Sequence, residues 1–114
     1  MRTPQALTAL RALGQSHRLA AFRALVTAGP EGLSVGELRG RVRVPAATLT
    51  AHLNALRAAG LVADTREGRV IRVRADYERM NGLIAYLTEN CCGGASCAPA
   101  PKPSRASKTA TKLR

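Results

Sequence analysis

The stretch "LTENCCGGASCAPAP", residues 87–101, holds every cysteine of the 114-residue chain. Cys91 and Cys92 are adjacent, and Cys97 follows across "GGAS". A thiolate is a nucleophile, a redox group and a soft metal ligand, so spacing decides which roles are open. Neighbouring Cα atoms lie about 3.8 Å apart, whereas a relaxed disulfide wants roughly 4.4–6.8 Å. A Cys91–Cys92 bond would therefore be strained, while a Cys92–Cys97 bridge is sterically open and stands as a redox alternative. A structural zinc site normally takes four ligands. The thiols supply three, His17 and His52 are remote in sequence, and a fourth ligand from elsewhere stays open. The plain alternative is that the cysteines only close a helix, so the residues that precede them must decide.

Composition narrows the setting. The length suits one small domain, which gains core by pairing with a second copy. No apolar run approaches a membrane span, and the opening "MRTPQALTALRALG" has no apolar signal region. A cytoplasmic location is expected, where thiols stay reduced, and three cysteines do not make a closed disulfide framework. The net charge of +11 points to a polyanion, nucleic acid before membrane. The last stretch, "KPSRASKTATKLR", carries five basic residues and no acidic one. Without it, thirteen basic residues still face seven acidic ones, so the folded part is basic in its own right.

The elements that must position the thiols can be read in order. "TPQALTALRALG" predicts a helix with Thr3 as cap, Pro4 in its first turn and Gly14 at its end. Leu7, Leu10 and Leu13 stripe it. A second helix runs from Ser16 to about Ala28, with Leu19, Phe22, Leu25 and Val26 facing a core and "GP" at 29–30 stopping it. "SVGE" is a capping box opening a short helix with Val35, Leu38 and Val42 on one side. A tight turn leads to "PAATLTAHLNALRAAG", with Pro45 at the first helical position and Gly60 at the left-handed end. Leu49, Leu53 and Leu56 share its apolar face. "LVADT" and "VIRVRA", separated by "REGR", predict a β-hairpin turning at Gly68. Asp76 caps a last helix, 77 to about 89, striped by Tyr77, Met80, Leu83, Ile84 and Leu87.

This order is mainly α with a β-hairpin wing, a winged helix-turn-helix. Residues near the N-terminus of such a second helix reach base edges in the major groove. The candidates are Thr48, Thr50, His52 and Asn54, with Ala47 and Ala51 allowing close approach or meeting thymine methyls. Surface threonines and a packing histidine are the ordinary alternatives, and His17 reads as structural. Arg39, Arg41 and Arg43 precede that helix, and Arg66, Arg69, Arg72 and Arg74 decorate the hairpin. Phosphate contact is the functional reading of this group, solvated surface the bland one. The leucines at 7, 10 and 13, with Tyr77, Met80, Leu83 and Leu87, exceed what one small core can use. Pairing with a second copy would bury them and double the DNA contacts. Nothing supports an enzyme: there is no nucleophile–base pair, phosphate-cradling loop or carboxylate dyad.

The stretches "ALGQSHRLAAFRAL", "LSVGELRGRVRVPAATLTAHLNALRAAGLV" and "TREGRVIRVRAD" resemble the ArsR/SmtB family of metal- and metalloid-responsive repressors. The resemblance spans residues 4 to about 90, and "TLTAHLNALRAAGLV" carries it most strongly. It implies a homodimer built through the first and last helices, on a double-stranded DNA operator with an imperfect inverted repeat. The terminal "ENCCGG" is similar to arsenic regulators whose thiols lie past the last helix. The family's zinc sensors use Asp/His ligands along that helix, which here offers Asp76, Glu78 and Glu89 but no histidine. A Cys-x-Cys in the helix before the turn is absent from "ELRGRVRV". The implied inducer is trivalent arsenic or antimony, As(III) or Sb(III), with no cofactor required. Soft thiolates select such centres. Arsenite has three displaceable hydroxyls, so Cys91, Cys92 and Cys97 would complete a pyramidal site and favour the inorganic over the methylated form. A thiol-redox or persulfide-responsive winged-helix repressor is the alternative, and a constitutive DNA-binding protein with a silent tail a third class. The expected organisation is 1–90 for DNA binding and dimerisation, 91–97 for the metalloid, and 98–114 as a disordered basic tail.

Overall fold

A computed structural model describes residues 1–94. Cys97 and the stretch 98–114 lie outside the described residues. The chain runs α1 (Thr3–Leu13), α2 (Ser16–Ala28), β1 (Leu33–Ser34), α3 (Val35–Val42), α4 (Ala46–Ala58), β2 (Val62–Glu67), β3 (Val70–Ala75) and α5 (Tyr77–Leu87), then a short 3-10 turn at Cys91–Gly94. Each helix read from sequence is present, with corrections to its ends and to the face it buries.

At the start of α1 it is Arg2, not Thr3, that occupies the cap position. The Gln5 side chain accepts from the Arg2 N–H at 2.8 Å. Thr3 enters the helix, and its hydroxyl is hydrogen-bonded to the Tyr86 hydroxyl near the far end of α5. α1 buries Ala6, Ala9 and Ala12, not its leucines. Alanine on the inner face lets the backbone of α1 approach α2 and α4 closely, which turns the Leu7/Leu10 stripe outward. Leu19, expected in the core, is exposed on α2, while Phe22 and Leu25 are buried as expected.

α3 opens with the expected reciprocal cap. Ser34 Oγ accepts from the Glu37 N–H at 3.1 Å, and Glu37 Oε1 accepts from the Ser34 N–H at 2.9 Å. The Ser34 N–H first, and then the Ser34 hydroxyl, hold the Glu37 carboxyl below its ordinary pKa, with Arg72 and Arg41 nearby adding to the effect. The turn Arg43–Pro45 follows, with Arg43 in the left-handed region at φ 62° and its N–H bonded to Arg39 C=O at 2.9 Å. Pro45 is the N-cap of α4 and so lies one position before its expected place. At the other end Gly60 has φ +75°; its N–H bonds Arg57 C=O at 2.9 Å and the Leu61 N–H bonds Leu56 C=O at 3.0 Å. This is a Schellman closure. A Cβ on Gly60 would meet only the mobile end of the Arg79 side chain, at 2.9 Å, so it is the left-handed φ that calls for glycine here.

The hairpin is longer than its two apolar runs suggested. Pairing continues from Val62↔Ala75 to Glu67↔Val70, leaving only Gly68 and Arg69 in the turn. A third strand, β1, pairs with β3 through Leu33↔Val73 and gives the order β1–β3–β2. Two residues are too few to show a period, and only tertiary pairing defines this strand. Arg72 holds that edge in place: its guanidinium donates to the carbonyls of Glu31 and Gly32 at 3.2 Å each. The core joins Leu25, Leu38, Leu49, Leu53, Leu56, Leu61 and Val73, all fully buried.

α5 is capped as expected, Asp76 Oδ1 accepting from the Arg79 N–H at 2.9 Å. It ends at Leu87, two residues early, and the Thr88 hydroxyl caps the Ile84 carbonyl at 2.9 Å. Asn90 then turns left-handed at φ 56° and leads into the cysteines.

Candidate nucleic-acid interface and thiol pair

α3, the turn and α4 form a helix–turn–helix, with Leu38, Leu49 and Leu53 in one buried cluster. With Leu49, Leu53 and Leu56 turned inward, the helical period forces Ala47, Thr48, Thr50, Ala51 and Asn54 outward, and all five are exposed. This outer face has no bulky apolar side chain, so it can approach a base-pair edge closely. Thr50 Oγ1 donates to the Ala46 carbonyl at 3.0 Å, which leaves its oxygen to accept and its methyl to pack.

His52 stands apart from that face. It is half-buried, and its ring stacks on His17 at the start of α2, with centroids 5.8 Å apart and planes at 29°. Its Nδ1 is buried without a hydrogen-bond partner among the described residues. Burial first, then the charges of Arg18 and His17, push its pKa below the ordinary 6.5. The ring is thus neutral at physiological pH and joins α4 to α2.

Arg39, Arg41, Arg43, Arg66 and Arg69 are all exposed, on α3, its closing turn and the hairpin tip. Arg72 is not available in the same way, being bound to the Glu31 and Gly32 carbonyls. Two residues that sequence reading did not single out join the surface. Arg57, on the last turn of α4, donates from Nη1 to Asn54 Oδ1 at 2.9 Å, and its Nε lies 3.0 Å from Asp64 Oδ2 on β2. The Asn54–Arg57 spacing is a helix i,i+3 pair visible in sequence. Asp64 meets them only because the hairpin folds back beside α4.

The candidate pairing residues divide. Leu83 is buried within the chain, Tyr77 donates its hydroxyl to the Val26 carbonyl at 3.1 Å, and Met80 and Leu13 pack half-buried against the core. Leu7 and Leu10 on α1 stay 43% and 41% exposed, and Ile84 and Leu87 on α5 stay 52% and 57% exposed.

Past α5, Cys91 is half-buried and Cys92 exposed, with their Sγ atoms 3.5 Å apart. Cys92 sits in the left-handed region at φ 58°, and this turn brings two consecutive side chains to one side. Two sulfurs at that separation can both lie about 2.3 Å from one soft centre, the distance a zinc–thiolate bond takes. Among the described residues no group of three or more His, Cys, Asp or Glu side chains is placed to hold a metal ion. Cys97, the expected third ligand, lies outside those residues.

A helix-turn-helix with a small polar outer face, beside a basic hairpin, defines a winged helix-turn-helix DNA-binding protein. The family model for a helix-turn-helix domain matches residues 13–65. Curated proteins give no match. Among solved structures, the chain is similar to an ArsR-like transcriptional regulator from Rhodococcus sp. RHA1. The two share 31% identity over 74% of this chain and 76% of that one, with a TM-score of 0.62. The transcriptional repressor BigR from Xylella fastidiosa is similar at 27% identity over 79% of this chain and 90% of that one, TM-score 0.61. The homodimeric winged helix-turn-helix DNA-binding domain of Mb0332 from Mycobacterium bovis shares the fold at 23% identity, covering 82% and 87%, TM-score 0.60. The chain belongs to the ArsR family of DNA-binding transcriptional regulators. No helix among the described residues is long and apolar enough to cross a membrane.

Proposed function

We propose that the protein is a homodimeric repressor that leaves its operator, an imperfect inverted repeat, when trivalent arsenic or antimony binds Cys91, Cys92 and Cys97. The observation that carries this reading is the Sγ pair 3.5 Å apart at the end of α5. Arsenite would lose three hydroxyls as three water molecules, taking the three thiol protons and forming three As–S bonds. Oxidation state is unchanged, so no external oxidant or reductant is needed. Thiolate is the donor such a soft centre prefers, and the pair supplies two of the three.

The position of the thiols supports a route to DNA. The turn follows α5 directly, and Tyr86 of α5 is hydrogen-bonded to Thr3 of α1. Both helices carry the exposed Leu7, Leu10, Ile84 and Leu87. A relative of the same fold is homodimeric, and a second copy would cover those side chains. Tying Cys91 and Cys92 to Cys97 would shift the end of α5, hence the dimer and the spacing of its two α4 helices. Only a ligand that prefers the DNA-incompetent state has this effect. A coupling of about 1–3 kcal/mol changes affinity roughly 5–150-fold.

The test is operator release by arsenite, followed by fluorescence anisotropy, in the wild type and in Cys91→Ser, Cys92→Ser and Cys97→Ser. Release by the wild type and its loss in the variants is expected. Normal release by all three variants refutes the site. Release by peroxide or polysulfide with no response to arsenite replaces the reading with the thiol-redox one.

A further inference from the structure

Asn54 projects from the outer face of α4, and a hydrogen bond biases the way its side-chain amide turns. Its neighbour Arg57 donates from Nη1 to one amide atom at 2.9 Å. A guanidinium has donors and no acceptor, so the atom that faces it must be the carbonyl oxygen Oδ1. The Nδ2 amino group must then point away from Arg57. On its other side the guanidinium is ion-paired with the Asp64 carboxylate on β2, Nε 3.0 Å from Oδ2, a charge contact and not an aligned hydrogen bond, since Nε is buried without a hydrogen-bond partner among the described residues. Arg57 is about one-third exposed and Asp64 only slightly more, so both are partly sheltered between helix and hairpin. The chain Asp64–Arg57–Asn54 thus runs from the wing to the surface of the helix that faces DNA.

An unrestrained asparagine reads adenine with both amide atoms, accepting from N6 and donating to N7. With Oδ1 engaged by a cation, that two-point match is weakened. What remains directed outward is a pair of N–H donors. Major-groove edges rich in acceptors suit them, above all guanine, which offers N7 and O6, and then thymine, which offers O4. Cytosine N4 is a donor and would oppose them, and adenine sets its N6 donor beside a single N7 acceptor.

We propose that Arg57 is a positioning residue for base recognition: ion-paired with Asp64, it presents Asn54 amino-first, as a donor-biased reader that favours guanine or thymine. The proposal rests on α4 being the helix that enters the major groove. It also assigns a role to Asp64, an acidic residue that would otherwise only repel DNA. In the protein–DNA interface the pair gains strength as water leaves, so the orientation is held more firmly in the complex than in the free protein.

The experiment is selection of bound sites from a randomised DNA pool with the full chain, together with affinity measured over a range of salt. Asn54→Ala identifies the base position that Asn54 reads, by loss of preference there alone. The wild type is expected to favour guanine or thymine at that position by roughly five- to hundredfold, the range a good base contact gives. Arg57→Lys and Asp64→Asn should flatten that position or admit adenine, leaving other positions and the salt slope unchanged. Arg57→Lys keeps the positive charge but lacks the planar fork that reaches two partners at once. Asp64→Asn acts from the exposed end of the chain of contacts, so one variant remains informative if the other is poorly folded by thermal melting. Unchanged preference at the Asn54 position in both variants overturns the proposal. So does a uniform drop at every site with a shallower salt slope, which marks Arg57 as a phosphate contact. No preference at any position in the wild type, or none that depends on Asn54, overturns the reading of α4 as well.

Discussion

The exposed leucine face allows the sharpest test of assembly. Leu7 and Leu10 on α1, with Ile84 and Leu87 on α5, leave roughly half of each side chain at the surface of a single chain. Full burial of such a side chain is worth about 1.5–3 kcal/mol, so covering the exposed half is worth about 1 kcal/mol. The substitutions Leu7→Ser and Leu87→Ser together remove four such contributions from a symmetric pair. The dimer should then lose about 4 kcal/mol, roughly a thousandfold in dissociation constant. The fold of each chain should hardly change, because surface positions usually alter stability by no more than about 0.5 kcal/mol. Sedimentation equilibrium across a concentration series measures the first quantity, and thermal melting under dissociating dilution the second. Operator affinity should fall with the dimer, since a single chain meets only one half-site. A wild type that stays monomeric at tens of micromolar, or a double variant that associates as tightly, would refute the reasoning.

Two further outcomes follow from the electrostatics. Burial and the neighbouring Arg18 and His17 hold His52 below 6.5, so the unfolded chain binds more protons than the folded one below that value. The stability from a neutral His52 is present in full above about pH 6.5 and is lost as pH falls through its lower folded value. Denaturation midpoints of wild type and His52→Gln should therefore converge on acidification; parallel curves would sink the idea. Glu37 is also depressed, but its contribution is lost at lower pH, below 4.5, which separates the two effects. On the wing, Arg66→Gln with Arg69→Gln should weaken operator and random DNA alike and lower the salt slope by about 2, as phosphate contacts do. Loss confined to the operator would contradict that role.

Much of the molecule was legible because its signals are local. A capping box needs only Ser34 and Glu37, three residues apart. A Schellman closure needs Gly60 after an apolar stripe, and Leu49, Leu53 and Leu56 set which face of α4 turns outward whatever it packs on. Leu19 looks like core because apolar spacing marks a face without saying what covers it. Leu7 and Leu10, surplus to one core by their spacing, stay exposed, and Ala6, Ala9 and Ala12 are buried because close helix approach rewards small side chains. β1 was missed because two residues carry no period.

The same division holds at the functional surface. By itself the sequence determined the helix-turn-helix, the basic wing, the small polar outer face of α4 and the presence of three thiols after the last helix. Those features depend on residue type and on spacing along one element. Only the tertiary structure decided that His52 packs on His17, that Arg72 is spent on holding β1, and that Asp64 reaches Arg57 and through it Asn54. It also placed the sulfurs of Cys91 and Cys92 side by side, through a left-handed turn at Cys92 that no periodicity announces. Each of these is a contact whose partner is fixed by chain geometry, and such geometry exists only once the chain has folded.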